Sequence, residues 1–496
     1  MLDTPDRWHE MAPGSVRIKP RPAGSRRAQR FCPPQPLQPP WPPRYGEAMD
    51  TSSSASSPSS HSPAASSTGQ AQPQRYSRTQ HRARQHASAH ADASNLVHEK
   101  IIDHPLVPRG PGELITTTTA LAEFIQHLRQ QRSFAYDSEF IGELSYYPRL
   151  CLIQAATTQR IGLIDPLAGL DLRPFWQLLC DPSIQKIVHA GEQDIEPVHR
   201  LSGSPAANIF DTQIAAGFVG LSYPVGLSKL VHELLKVKLG KGLTFTHWDQ
   251  RPLTPLQLKY AADDVRYLPA VAALLAKRLE ELGHAEWARE ECAAVCDPRR
   301  YEFDPQSSFL RIRGAGSLTP QHLAVLRELT IWRDAAARAH DLPPRAFLKD
   351  EILLDLARSP VKSVEKLSRV KGLPRPIEVA HGAAIVEATL RGLALPPSQR
   401  PAVRNIEPTP SQRFAADSLF AAAAALCAGQ SIDPALVTSR QEVAELHRAL
   451  TQGIQSAEMN LLKGWRAAAC GNRLLEMVRA GGRLELTWRE GRLRAS

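Results

Sequence analysis

Phe134-Ala135-Tyr136-Asp137-Ser138-Glu139-Phe140 belongs to a run, Ser133–Phe140, that alternates as a β-strand does. Successive side chains of a strand face opposite ways, so Asp137 and Glu139 share one face. Two like charges side by side on an otherwise apolar strand repel unless a cation lies between them. An exposed edge strand with two solvated acids would look the same, and the pair alone does not decide between the two.

Outward from this strand, the order of elements sets the fold class. Leu150–Ala155 and Arg160–Asp165 make two more strands with a short turn between them. Leu172–Leu179 has a helical pattern, Ile184–His189 is a short apolar strand, and Gln193–Leu201 is a helix. A strand at Asn208–Phe210 leads into a helix at Asp211–Val219. A long amphipathic stretch runs from Thr254 to about Leu282, with Thr254 as N-cap and Pro255 in the first turn. A meander followed by alternating strands and helices predicts an α/β domain with a mixed sheet over residues 97–300.

Asp297–Gly316 reads as a loop, and the pattern is helical from there on. Two blocks, 317–395 and 412–480, flank a Pro-rich linker from Pro396 to Pro410. Each is long enough for a bundle of short helices. A tail of residues 481–496 holds one alternating run, Arg483–Trp488.

The N-terminal 1–96 stretch is of another kind. It holds 14 of the 41 prolines, a Pro-rich run from Phe31 to Pro43 and a Ser-rich one from Thr51 to Ser67. So little apolar surface cannot offset the entropy of ordering, and a disordered tail is expected. Met49, at the head of the Ser-rich run, is a second candidate initiator.

Composition sets the remaining bounds. A chain of 496 residues predicts two to four domains. The net charge of +10 divides into +6 for residues 1–100, −3 for 101–300 and +7 for 301–496. An acidic middle beside a basic end suits a site that gathers cations next to a surface that attracts polyanions. Seven cysteines without a Cys-x-x-Cys pair give neither a disulfide scaffold nor structural zinc, and they fit a reducing compartment. No apolar run approaches membrane-spanning length, and Asp3, Asp6 and Glu10 exclude a secretory signal. A soluble cytoplasmic protein is expected.

Several common chemistries fail on inspection. Gly240-Lys241-Gly242 lacks the rest of a P-loop, Gly314-Ala315-Gly316 lacks the third glycine of a dinucleotide fingerprint, and no zinc-protease or Gly-x-Ser-x-Gly motif occurs. Two further carboxylates stand out instead. Asp194 follows the apolar strand in Val188-His189-Ala190-Gly191-Glu192-Gln193-Asp194, at the mouth of a helix, where open α/β sheets place ligands. In Tyr260-Ala261-Ala262-Asp263-Asp264 the outer two residues are i and i+4 on a helix and share a face, while Asp263 points away as a solvated neighbour.

Asp137-x-Glu139, then Asp194, then Tyr260-x-x-x-Asp264 resembles the three exonuclease motifs of the DEDD superfamily in its tyrosine branch. Flanking residues resemble the ribonuclease D family: His189-Ala190-Gly191, Phe210-Asp211-Thr212-Gln213, Trp248-Asp249-Gln250-Arg251-Pro252-Leu253, and Tyr146-Tyr147-Pro148 running into Leu150-Cys151-Leu152-Ile153-Gln154. Ala337-Arg338-Ala339-His340-Asp341-Leu342-Pro343 and Lys371-Gly372-Leu373 resemble the HRDC module that RecQ helicases share with ribonuclease D. Ser431-Ile432-Asp433-Pro434 and Lys463-Gly464-Trp465-Arg466 are similar to that family's weaker second module.

The resemblance implies a ribonuclease H-like exonuclease domain followed by two all-α HRDC-type bundles. It implies a 3′→5′ exoribonuclease that hydrolyses phosphodiesters to nucleoside 5′-monophosphates and trims tRNA precursor 3′ ends as a monomer. Asp137, Glu139, Asp194 and Asp264 would hold two divalent ions, Mg²⁺ or Mn²⁺, and Tyr260 would orient the attacking water. Hard oxygen ligands suit either ion. Arg338, Lys371 and Arg466 are candidate RNA contacts, while Trp465 reads as core. A DNA exonuclease and a non-catalytic RNA-binding platform remain as alternatives.

Overall fold

The computed structural model describes residues 101–142, 145–240, 247–401, 409–453, 459–480, 486–489 and 492–495. The expected disordered tail, 1–96, and Met49 within it lie outside the described residues.

The α/β domain is built on one six-stranded mixed sheet. Its strands are β1 (Glu113–Ile115), β2 (Ser133–Ile141), β3 (Arg149–Ala156), β4 (Ile161–Ile164), β5 (Gln185–Val188) and β6 (Ile209–Asp211), in the order β1-β4-β3-β2-β5-β6. β2, β3 and β4 form the expected antiparallel meander, while β1, β5 and β6 add in parallel. β1 is three residues on an edge, too short for periodicity to reveal.

Alternation along β2 divides its side chains between two cores. Phe134 and Tyr136 belong to the core that holds Phe124 of helix α1 (Thr118–Gln131), Phe175 of α2 (Arg173–Cys180) and Ile195 of α3 (Glu192–Ser202). Ala135 faces the other way, into a core with Leu152, Leu163 and the helix residues Ala261 and Val265. Gly162 of β4 admits α1: a Cβ there would sit 2.4 Å from the Phe124 ring.

The sequence predicted one amphipathic stretch from Thr254 to Leu282, and the structure has two helices. Helix α6 (Pro255–Arg266) opens with a full capping box between Thr254 and Gln257 and with proline in its first turn. It ends at Tyr267, and α7 (Leu268–Leu282) restarts with Pro269 in its first turn. Pro269 has no N–H to give the carbonyl four residues back, so the helix cannot run through. Helices α4 (Thr212–Gly217), α5 (Leu227–Leu235) and α8 (Ala285–Val295) complete the domain.

The first helical block holds α9 (Pro320–Ala339), α10 (Asp350–Arg358) and α11 (Arg375–Ala394) around its own core of Leu326, Leu353 and Ile385. The second holds α12 (Pro410–Gly429), α13 (Arg440–Thr451) and α14 (Asn472–Ala480). Among the described residues it has no separate core. Leu419, Val443 and Trp465 join the core of the α/β domain, and the Trp465 ring meets Phe218 edge-on at 4.6 Å. The tail forms a hairpin of Leu486–Arg489 with Arg492–Ala495, and residues 481–485 lie outside the described ones.

Candidate active site

Three of the five residues singled out by sequence meet at one point. Asp137 and Glu139 leave the same face of β2, and Asp264 reaches them from the last turns of α6. Each offers a carboxylate oxygen, and these atoms lie within 4.8 Å of one another. The strand register shifts between Glu139 and Phe140, a bulge that turns the chain immediately after the second acid. Among the described residues this is the one cluster of three or more His, Cys, Asp or Glu able to hold a metal ion.

Asp194 is held beside the cluster and is not one of its three members. It lies in the first turn of α3 and is buried. The Ser138 hydroxyl donates to its carboxylate, and the Tyr136 hydroxyl donates to its main-chain carbonyl at 3.1 Å. Residues of β2 that alternate with Asp137 and Glu139 thus fix the fourth acid.

Sequence reasoning quoted Asp211 in a motif and gave it no role. The structure makes it the clamp on the turn before Asp194. Its carboxylate accepts the N–H groups of Ala190 at 3.1 Å, Gly191 at 3.0 Å and Gln213 at 2.8 Å. It therefore caps α4 while pinning a turn in which Ala190 sits at φ +53°. The signal was present: an N-cap Asp before Thr212 at a strand end.

Tyr260 lies one helical turn before Asp264 and is hydrogen-bonded to its carboxyl group. Its ring packs against Trp248 with centroids 6.2 Å apart. Arg251 fixes the Trp248 loop. Its Nε and Nη2 donate to Asp165, each at 2.6 Å, while Nη1 donates to the Trp248 carbonyl at 2.7 Å. A cavity of about 280 Å³ opens beside Tyr260 and Asp264, walled by Leu227, Leu239 and Leu256. Asp263 is not one of the clustered acids, and it is no solvated neighbour either: Lys259 at 2.7 Å and Arg266 at 2.9 Å neutralise it.

The electrostatics of the cluster follow from burial and from like charge. Burial and the neighbouring Asp264 push Asp137 up to about 8. Burial, then Asp137, Asp264 and Asp194, push Glu139 to about 9. Burial raises Asp264 to about 7 against the opposing bond from Tyr260, and burial followed by Asp137 drives Asp194 well above the carboxylate range. Burial and the three nearby acids also raise the Tyr260 phenol, so it keeps its proton at neutral pH. Positive charge entering such a set favours its ionised form, and an all-oxygen donor set fits a hard divalent cation.

Residues 113–280 match a family model described as a 3′–5′ exonuclease, and residues 322–389 match the HRDC domain. The chain is 36% identical over 368 residues to Ribonuclease D of Gluconacetobacter diazotrophicus, covering 73% of this chain and 92% of that one. It is 32% identical over 383 residues to Ribonuclease D of Nitrobacter hamburgensis, covering 77% and 98%. The chain belongs to the ribonuclease D family. The solved structure of Escherichia coli RNase D, an exoribonuclease involved in structured RNA processing, superposes with a TM-score of 0.65 at 31% identity, over 75% of this chain and 99% of that one. Like its family, this chain is a 3′→5′ exoribonuclease.

The candidate RNA contacts fare unequally. Arg466 is internal, paired with Glu291 at 2.6 and 2.8 Å beneath the second block, so its assignment to RNA is corrected. Trp465 is core, as expected. Arg338 donates to the Tyr146 hydroxyl at 3.1 Å and lies over the Tyr146 ring at 4.9 Å, at the seam between the α/β domain and the first helical block. Lys371 stands with Arg358, Lys362, Lys366 and Arg369 around a cleft of about 510 Å³.

Proposed function

We propose that this chain trims the 3′ ends of tRNA precursors as a cytoplasmic monomer, with Asp137, Glu139, Asp194 and Asp264 holding two divalent ions, Mg²⁺ or Mn²⁺. The observation that carries this reading is the convergence of three half-buried carboxylates within 4.8 Å, pushed up chiefly by desolvation and by neighbouring acids. Burial without a compensating charge is costly, and divalent ions supply that charge, acidify a water and stabilise a leaving oxygen.

The chain's own residues do the rest. Tyr260 keeps its proton, and its bond to Asp264 leaves an oxygen lone pair free to accept a hydrogen bond from the attacking water. Its role is therefore to orient that water. Attack at the terminal phosphorus breaks the bond to the 3′ oxygen, which takes a proton, and a nucleoside 5′-monophosphate departs. The cavity beside Tyr260 has apolar walls suited to a terminal nucleobase.

For the body of the RNA we assign two surfaces, the first of them strongly basic. One is the cleft around Lys371 on the first helical block. The other is a cleft of about 710 Å³ at the seam, where Tyr147, His199, Arg200 and Arg338 offer stacking and phosphate contacts. In this reading residues 97–300 are the catalytic domain, 317–395 the HRDC domain, and 412–480 a second HRDC-like module welded to the first.

The test is a 5′-labelled RNA with an unpaired 3′ tail, with matched DNA alongside, in Mg²⁺, Mn²⁺ or EDTA and with Asp194→Asn. Metal-dependent shortening from the 3′ end, lost in the variant and weaker on DNA, is the expected result. Equal shortening of DNA would make the chain a general 3′→5′ nuclease. Binding without shortening in any metal would reduce it to an RNA platform.

A further inference from the structure

Gln154 of β3 is paired directly with Asp137 of β2 on one side and with Leu163 of β4 on the other. Residues opposed across antiparallel strands share a face, with their Cβ atoms about 4.5–5.5 Å apart. Gln154 therefore projects from the face that carries Asp137 and Glu139, the face covered by α6. Apart from the two acids, the strand residues surrounding it on that face, Ala135, Leu152, Ala156, Ile161 and Leu163, are apolar and buried. Gln154 itself is 0% exposed, and neither its amide oxygen nor its amide nitrogen has a hydrogen-bond partner among the described residues.

Packing gives no reason for this amide. A buried primary amide without partners destabilises a fold, and an apolar side chain of the same shape would fill the site without that cost. The polar strand residues nearest it in register on this face are the acids themselves, Asp137 directly opposite and Glu139 two residues on. An amide offers two N–H donors and one carbonyl acceptor, which matches a carboxylate whose second oxygen is turned toward a cation. Side chains of this kind, one layer behind the ligands, orient the ligating groups of metal sites.

We infer that Gln154 is a positioning residue that holds the Asp137 carboxylate in the orientation that binds a divalent ion. The inference rests on the functional reading above, because it presupposes that Asp137 is a ligand. It separates Gln154 from the surrounding core, whose job is to fill space.

The test is Gln154→Met in the full chain, which keeps length and apolar volume and removes both polar atoms. Mn²⁺ affinity is read by titration calorimetry and by electron paramagnetic resonance, and stability by urea unfolding without metal. A positioning role predicts unfolding at the same or higher urea together with Mn²⁺ binding weakened about 10–100-fold. Mn²⁺ affinity within twofold of the unsubstituted chain would overturn the inference. If the variant fails to fold, the unsubstituted chain decides: the Gln154 side-chain amide protons should shift in nuclear magnetic resonance spectra when Mg²⁺ is added, and their indifference would overturn it. A chain that binds no divalent ion even unsubstituted would instead sink the functional reading.

Discussion

Arg466→Ala separates a cation that holds the fold from cations that hold RNA. The Arg466 fork grips Glu291 through Nη1 at 2.6 Å and Nη2 at 2.8 Å, with both side chains about 15% exposed. Trp465 adds its indole N–H to the same carboxylate at 2.9 Å, and the guanidinium lies over the Trp465 ring at 4.4 Å. Burial pushes the Glu291 carboxyl up, but bonds and charge from Arg466 outweigh it and leave it below its ordinary value. Removing one partner of a buried pair costs about 3–5 kcal/mol. Since both groups keep some contact with solvent, about 3 kcal/mol is expected.

With a urea slope of about 3 kcal/mol/M, that cost moves the midpoint by about 1 M. Trp465 sits within the joint and reports the transition by fluorescence. RNA affinity should keep its salt slope, because no phosphate contact is lost. Lys366→Ala or Lys371→Ala in the exposed cleft should do the reverse, leaving the urea midpoint unchanged and cutting the salt slope by roughly 0.7–1. An Arg466→Ala chain with an unchanged midpoint and a shallower salt slope would refute this division.

Three further outcomes follow from the geometry. Asp137, Glu139 and Asp264 hold protons in the fold up to about 8, 9 and 7, far above their unfolded values near 4, so the metal-free chain binds excess protons across that interval. As regards these groups its stability should therefore be greatest below about pH 4 and fall as pH rises from there toward 9. Added Mg²⁺ should stabilise more at pH 8.5 than at pH 6, and equal stabilisation in a thermal melt at both would contradict the assignment. Asp211→Ala strips partners from the N–H groups of Ala190 and Gly191, so a loss of about 2–3 kcal/mol and a fall in kcat larger than any change in KM are expected. Gly392→Ala would place a Cβ 2.5 Å from Val325 Cα where α9 crosses α11, and the first helical block alone should loosen, as hydrogen exchange would show.

The fold was legible in the sequence where periodicity is strong and local. The meander β2–β4 lies where alternation put it, and Thr254 and Pro255 marked the start of α6. What escaped depends on partners remote in the chain. β1 is visible only through its pairing with β4, and the break at Tyr267 turns on one proline inside an unbroken amphipathic pattern. Charge counting has the same weakness. It made residues 301–496 a basic surface, but a guanidinium that answers a carboxylate 175 residues away carries the same formal charge as one that faces solvent. Arg466 was misread for that reason, while Lys371 sits where a polyanion can reach it.

The candidate site was legible to the extent that one strand encodes it. Within Tyr136-Asp137-Ser138-Glu139, the acids take one face of β2 and the two hydroxyls take the other. Asp137 and Glu139 meet Asp264 beneath α6, while Tyr136 and Ser138 reach across to the backbone and carboxylate of Asp194 on α3. Four consecutive residues thus bring two helices from opposite sides of the sheet to a common edge, and the alternation of a single strand sets their spacing. The supporting layer was not legible, since Asp211 and Gln154 act through the turn and the strand beside them. A sequence shows an Asp as an N-cap or a Gln within an apolar run. Only the register of β3 against β2 shows that the Gln stands next to the first acid.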